Sequence, residues 1–180
     1  MSLEPVPEAE LRTTEDGVIP ASEGWFVVNV ADAKAISSDR FGSSARFEDR
    51  VQASFPEFGI NVRVLEPGQP SALYHRENAQ EAFLVLSGEC VLVVEEEERP
   101  LRRGDFVHLP EGTAHVLVGA GDGPSSVLMV GTRKDPEELL YPVSETAAKY
   151  AASAERETND EAEAYGPHNV LRPTNLGLPW

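Results

Sequence analysis

The chain reads as an all-β fold, a barrel or sandwich of short strands with an N-terminal arm and short C-terminal helices. Three observations predict it. Short β-rich runs at residues 82–86, 90–94, 106–109 and 116–118 are separated by Ser-Gly, a charged tetrad, Arg-Gly-Asp and Pro-Glu-Gly-Thr. Turn punctuation at this spacing marks all-β sandwiches and barrels. Residues 58–65 (FGINVRVL) alternate, placing Ile60, Val62 and Val64 on one face of a strand. Three of the four histidines fall between Gly68 and Gly119, inside the strand-rich stretch.

The elements follow in order. Residues 1–15 have little to bury and read as an arm, which extends to residue 23. Residues 24–30 (GWFVVNV) are nearly continuous in apolar side chains, predicting a first strand covered on both faces. Residues 32–52 are polar, with Arg40, Arg46 and Arg50 interleaved with Phe41 and Phe47, a loop covering the barrel mouth. After the strand at 58–65, Glu66-Pro67-Gly68 turns the chain into the central stretch. Glu95 to Glu98 form a solvated hairpin tip without the spaced ligands of a calcium loop. Asp105 is a turn residue, and His108 shares its strand face with Phe106, a structural or surface position. The glycine-rich residues 119–124 join two strands, so they form a hairpin turn and not a phosphate cradle. Residues 127–130 (VLMV) close the barrel, which spans 24–131 with its motif core at 68–119.

The tail covers 132–180. Asp135, Pro136, Glu137 and Glu138 carry the signals of a helix start, predicting a short helix that ends before Pro142. Ser144 caps a second helix through residues 146–154. The terminal Leu178-Pro179-Trp180 is expected to dock on its own barrel or on a twofold mate.

Composition narrows the function. A chain of 180 residues suits one domain with arms. A net charge of −16 argues against nucleic acid and anionic membrane surfaces as partners. No apolar run approaches a membrane span, and the acidic, proline-bearing start is no signal peptide, so a cytoplasmic protein is expected. The single cysteine, Cys90, excludes an intrachain disulfide framework and reads as core. Exposed edge strands and apolar arms suggest a homodimer.

His75, Glu77, Glu81 and His115 are the cluster with metal-ligand spacing. Residues two apart on an extended run leave the same face, which pairs His75 with Glu77. Glu81 opens the next run, and His115 follows a turn that starts a returning strand. Two imidazoles and two carboxylates suit a divalent transition metal such as Zn, Mn, Fe(II), Ni or Co. In the other register Tyr74 and Arg76 face inward and no metal is held.

These residues also resemble the two sequence motifs of the cupin superfamily. Gly68, six residues, His75-Arg76-Glu77, three residues, Glu81, six residues and Gly88 match the first, with Glu77 where the family usually has a second histidine. Gly104, Pro110, Gly112 and His115 match the second at every spacing, with Gly119 in the place of an asparagine. The resemblance implies a cupin-type double-stranded β-helix, a jelly-roll barrel. It implies a metal held by His75, Glu77, Glu81 and His115, with Glu81, or else Glu77, the candidate catalytic base and a small molecule as ligand. The family hosts dioxygenases, isomerases and non-catalytic binders, so a metal-dependent enzyme acting on a hydroxy-carbonyl or sugar-like compound and a binding module both follow from it.

Overall fold

The computed structural model describes residues 4–49, 51, 53–166 and 170–180. Its strands in chain order are β1 (Leu11–Thr14), β2 (Gly17–Pro20), β3 (Ala35–Ser38), β4 (Gly42–Arg46), β5 (Phe58–Leu65), β6 (Arg76–Glu77) and β7 (Glu81–Ser87). They continue with β8 (Glu89–Val94), β9 (Glu97–Arg102), β10 (Phe106–Leu109), β11 (His115–Ala120), β12 (Ser125–Thr132), β13 (Leu139–Leu140) and β14 (Arg172–Thr174). Two short helices, α1 (Glu145–Ala148) and α2 (Glu161–Tyr165), lie between β13 and β14.

Two antiparallel sheets make the jelly roll. One has seven strands in the order β10-β7-β12-β5-β4-β3-β14, the other three in the order β11-β8-β9. Period-two alternation on each sheet fills the space between them. Leu65, Phe83, Val85 and Val127 of the larger sheet meet Cys90, Leu92 and Leu117 of the smaller. Cys90 is buried there and its thiol lies 3.2 Å from the Ser125 hydroxyl.

Both outer faces are also covered. Ala35, Ala45, Val62 and Val64 on the back of the larger sheet are buried beneath Val28, Val30, Leu176 and Leu178. The back of the smaller sheet, with Val93, Val116 and Val118, packs against Ala147 and Ala152 of the tail. The apolar face read in residues 58–65 is therefore the outer one, leaving Asn61 and Arg63 to face inward. Among the described residues no helix is long and apolar enough to cross a membrane.

Several expectations are corrected. Residues 24–30 form no strand. Trp25 makes only an isolated bridge with Glu8, and Val27 is 81% exposed. The Asn29 carboxamide oxygen accepts from the Ala31 amide and the Asn29 carbonyl from the Asp32 amide, so the run ends in a turn. The stretch 32–52, expected as a loop, carries β3 and β4; Arg50, expected within that loop, lies outside the described residues. Apart from Ile36 these two strands offer small Ala, Gly and Ser side chains and Arg46, a weak strand signal, yet Ala35 and Ala45 are fully buried. The arm also contains the β1–β2 hairpin.

No helix forms at residues 135–138. Asn78 instead binds that segment like a strand partner: its side-chain amide donates to the Pro136 carbonyl and its oxygen accepts from the Glu138 amide. Leu139 and Leu140 then pair with Glu77 and Arg76. The helix expected through residue 154 stops at Ala148, because Ala151 takes a positive φ of 54°. Trp180 is 60% exposed.

Candidate metal centre

Antiparallel pairing fixes the two imidazoles. The His75 amide donates to the His115 carbonyl at 3.1 Å, and the His115 amide returns the bond at 2.8 Å. Residues that exchange both backbone bonds stand directly opposite, with side chains on the same face. The rings accordingly lie 4.9 Å apart, centroid to centroid. The turn before His115 is held by the Gly112 amide donating to the Glu77 carbonyl, with Gly112 at φ +81°. Only glycine adopts that conformation without steric cost. Glu95, at the hairpin tip, accepts the Ala114 amide at 2.8 Å and so steadies the residue preceding the histidine.

Glu81 approaches from the other sheet, where it opens β7 opposite Gly131 of β12. A Cβ at 131 would sit 3.4 Å from the Glu81 Cγ, an ordinary van der Waals contact. The ligand atoms of His75, Glu81 and His115 all lie within 4.8 Å of one another. Glu77 lines the same cavity of about 330 Å³ but stands outside that group. Tyr74 packs behind, against Val93 and Val116, and Arg76 is exposed. His108 is exposed on the outer side of β10.

Hydrogen bonding assigns the nitrogens. His75 Nδ1 lies 2.7 Å from the Leu73 carbonyl and His115 Nδ1 lies 3.0 Å from the Thr113 carbonyl. A carbonyl only accepts, so each Nδ1 carries a proton and each neutral ring keeps its lone pair on Nε2. The Glu81 Oε2 is buried without a hydrogen bond, although His115 Nε2 is only 2.9 Å away. That contact is as short as an ion pair but off the line of one. It brings two lone pairs together, as when both serve one cation.

The electrostatics agree. Burial, with His115 close by, pushes His75 down to about 4, so its ring is neutral at neutral pH. Burial would also lower His115, but the Glu81 carboxylate outweighs it and raises the imidazole. Burial would raise Glu81, and the two histidines outweigh it and lower the carboxyl. Burial, followed by repulsion from Glu81 and Glu137, pushes Glu77 up to about 7. Two neutral nitrogens and one anionic oxygen in a shielded pocket fit a divalent transition metal, and the orphaned Oε2 is what such an ion satisfies.

The description "Cupin domain" matches residues 61–131 of this sequence. A sugar phosphate isomerase of the cupin superfamily from Silicibacter pomeroyi DSS-3 is 30% identical, with a TM-score of 0.54 over 63% of this chain and 80% of that one. The chain belongs to the cupin superfamily. The polyketide cyclase RemF from Streptomyces resistomycificus has the same cupin fold at 18% identity, with a TM-score of 0.55 over 71% of this chain and 92% of its own. No curated protein sequence matches the chain.

Several cavity residues of this cupin escape reading from motifs. Asn61 and Arg63 enter from β5, and their signal was the polar half of an alternating strand. Tyr141 stands 6.2 Å from the His75 ring, centroid to centroid, and Tyr165 packs edge-on to Tyr141. Both come from the tail and stand behind the cavity lining, where no local pattern announces them. Arg133 lies at the mouth and is paired with Glu48.

Proposed function

We propose that this cupin is a metal-dependent isomerase of a small hydroxy-carbonyl compound. The observation that carries the reading is the trio, buried at His115 and half-buried at His75 and Glu81, of two Nε2 lone pairs and an orphaned carboxylate oxygen beside a carboxyl poised near neutrality. The 30% identity to a protein described as a sugar phosphate isomerase supports it. His75, Glu81 and His115 hold the ion. When bound, a divalent transition metal polarises a carbonyl and makes the neighbouring C–H more acidic.

Glu77 then carries the proton. As a carboxylate it accepts the proton from the hydroxyl-bearing carbon, and as the acid it returns that proton to the former carbonyl carbon. The hydroxyl proton passes to the other oxygen, so atoms and charge balance. A group near pH 7 suits both halves of this transfer. The expectation of Glu81 as base thus moves to Glu77, because Glu81 is committed to the trio. Phe83 walls the pocket beside the His115 ring.

Metal analysis and proton exchange test this together. Purified wild type should contain a transition metal, and His115→Ala should lower that content by about tenfold or more. The variant should stay folded, because Val116, Leu117 and Val118 remain fully buried. In D₂O under nitrogen, wild type should exchange the α-proton of a hydroxy-aldehyde or hydroxy-ketone, read by proton NMR. Glu77→Gln should keep its metal and lose about 10²–10⁴-fold in exchange. Equal metal in wild type and His115→Ala, or turnover only with oxygen, would defeat the reading.

A further inference from the structure

The same cavity holds a buried cation that the isomerase chemistry leaves unused. Strand β5 alternates, so Val62 and Val64 face outward while Arg63 enters between the sheets. Its Nη1 donates to the Phe41 carbonyl at 3.2 Å. Its Nε is buried with no hydrogen-bond partner among the described residues, and no carboxylate pairs with it there. Elsewhere this acidic chain supplies partners freely: Arg12 meets Asp49, Arg133 meets Glu48 and Arg172 meets Asp39. Leaving a guanidinium in a cavity without a counter-ion is unfavourable in general.

What surrounds Arg63 makes the omission specific. Arg63 and Ser71 border both the cavity of the metal trio and an adjoining recess of about 180 Å³. That recess adds Ser37, Ser38, Ser44, Arg46, Tyr165 and the exposed Glu161. Two guanidinium groups line this recess with the hydroxyls of four serines, groups of a kind that donates to an oxyanion, and Glu161 is the one carboxylate among the described residues of the lining. Burial pulls Arg63 downward, with Arg46 adding to it and Tyr165 opposing it, so the pocket disfavours its charge.

We propose that Arg63 and the recess beside it form an anion subsite, so that the substrate carries a carboxylate or a phosphate at the end remote from the metal trio. The proposal rests on the reading of the cavity as a substrate pocket and adds a charge requirement to it. A planar fork of donors binds either oxyanion in bidentate fashion. Neutral sugars of equal size leave the guanidinium uncompensated and are poor ligands.

Calorimetric titration of metal-depleted full chain tests the subsite apart from the metal. The probes are inorganic phosphate, acetate and glycerol. Phosphate or acetate should bind wild type, and glycerol should not. Arg63→Gln should weaken the anion by about 10–100-fold, and Arg63→Lys by less. Phosphate as the tighter anion assigns a phosphorylated substrate; acetate assigns a carboxylic acid. If Arg63→Gln does not fold, phenylglyoxal labelling of wild type replaces it: the better anion should slow modification of Arg63 by about tenfold and leave exposed Arg103 unchanged. Neither anion binding at about 10 mM, equal affinity in wild type and Arg63→Gln, or unprotected Arg63 overturns the proposal. Because no metal is present, its failure is distinct from a failure of the metal trio, which elemental analysis reports.

Discussion

A carboxyl held near neutrality makes Glu77 visible in stability as well as in catalysis. Its folded value of about 7 lies above the ordinary 4.5, through burial first and then the neighbouring Glu81 and Glu137. A raised carboxyl contributes stability that is fully present below the unfolded value and is lost as pH rises through the folded one. In metal-free protein, Glu77→Gln should therefore match wild type at pH ~4.5 and exceed it at pH ~8 by about 1–2 kcal/mol, after discounting for solvent at the cavity. Glu77 also acts on the titration of Glu81 and His115, so the difference reports Glu77 together with its coupling to them. Urea unfolding at the two pH values measures it, and a gap that does not change with pH would show that Glu77 is an ordinary carboxylate. At this scale the trio was legible because His75 and His115 carry fixed spacings in motifs. Arg63 was not, since a lone arginine in a strand reads as solvent-facing until the outer face is found to be the apolar one.

Gly119 shows how an element departs from the family motif for a reason of packing. It stands where an asparagine is usual, yet a Cβ there would meet the Glu66 carbonyl oxygen at 2.2 Å. The turn from Glu66 to Gln69 crosses β11 at this point: the Gly68 amide donates to the Gly119 carbonyl, and the Gly119 amide donates to the Gln69 carbonyl. Restoring the family residue with Gly119→Asn should thus destabilise the protein by about 2 kcal/mol or more, because backbone and not a flexible side chain blocks it. Thermal unfolding of the variant measures this, and an unchanged or higher Tm would mean that the turn can move aside. The same contrast explains which elements were readable. β5, β8 and β10 carry branched or aromatic residues between turn residues, and local pattern sufficed. β3 and β4 are strands through the partners they meet, and the acidic stretch at 135–138 loses its helix to Asn78, a residue far away in sequence. No local signal encodes either contact.

At the scale of the molecule, the arms act as the outer layer of the larger sheet. β14 extends that sheet by pairing with β3, and Leu176 and Leu178 cover Ala35, Ala45 and Val62. The Arg172–Asp39 ion pair is exposed and adds little by comparison. Deleting residues 171–180 bares an apolar sheet face, uncaps β3 as an edge and removes one largely buried leucine and one partly buried. Burial of that order is worth about 3–4 kcal/mol, which lowers the Tm of a chain this long by about 6–15 °C. The metal trio should survive, because His75 and His115 are zipped to each other across β11 and Glu81 is anchored between β10 and β12. Scanning calorimetry with elemental analysis of the truncated chain separates the two effects. A Tm within about 2 °C of wild type would show that the tail merely rests on the sheet, and a loss of metal in parallel would show that stability of the outer layer reaches the cavity.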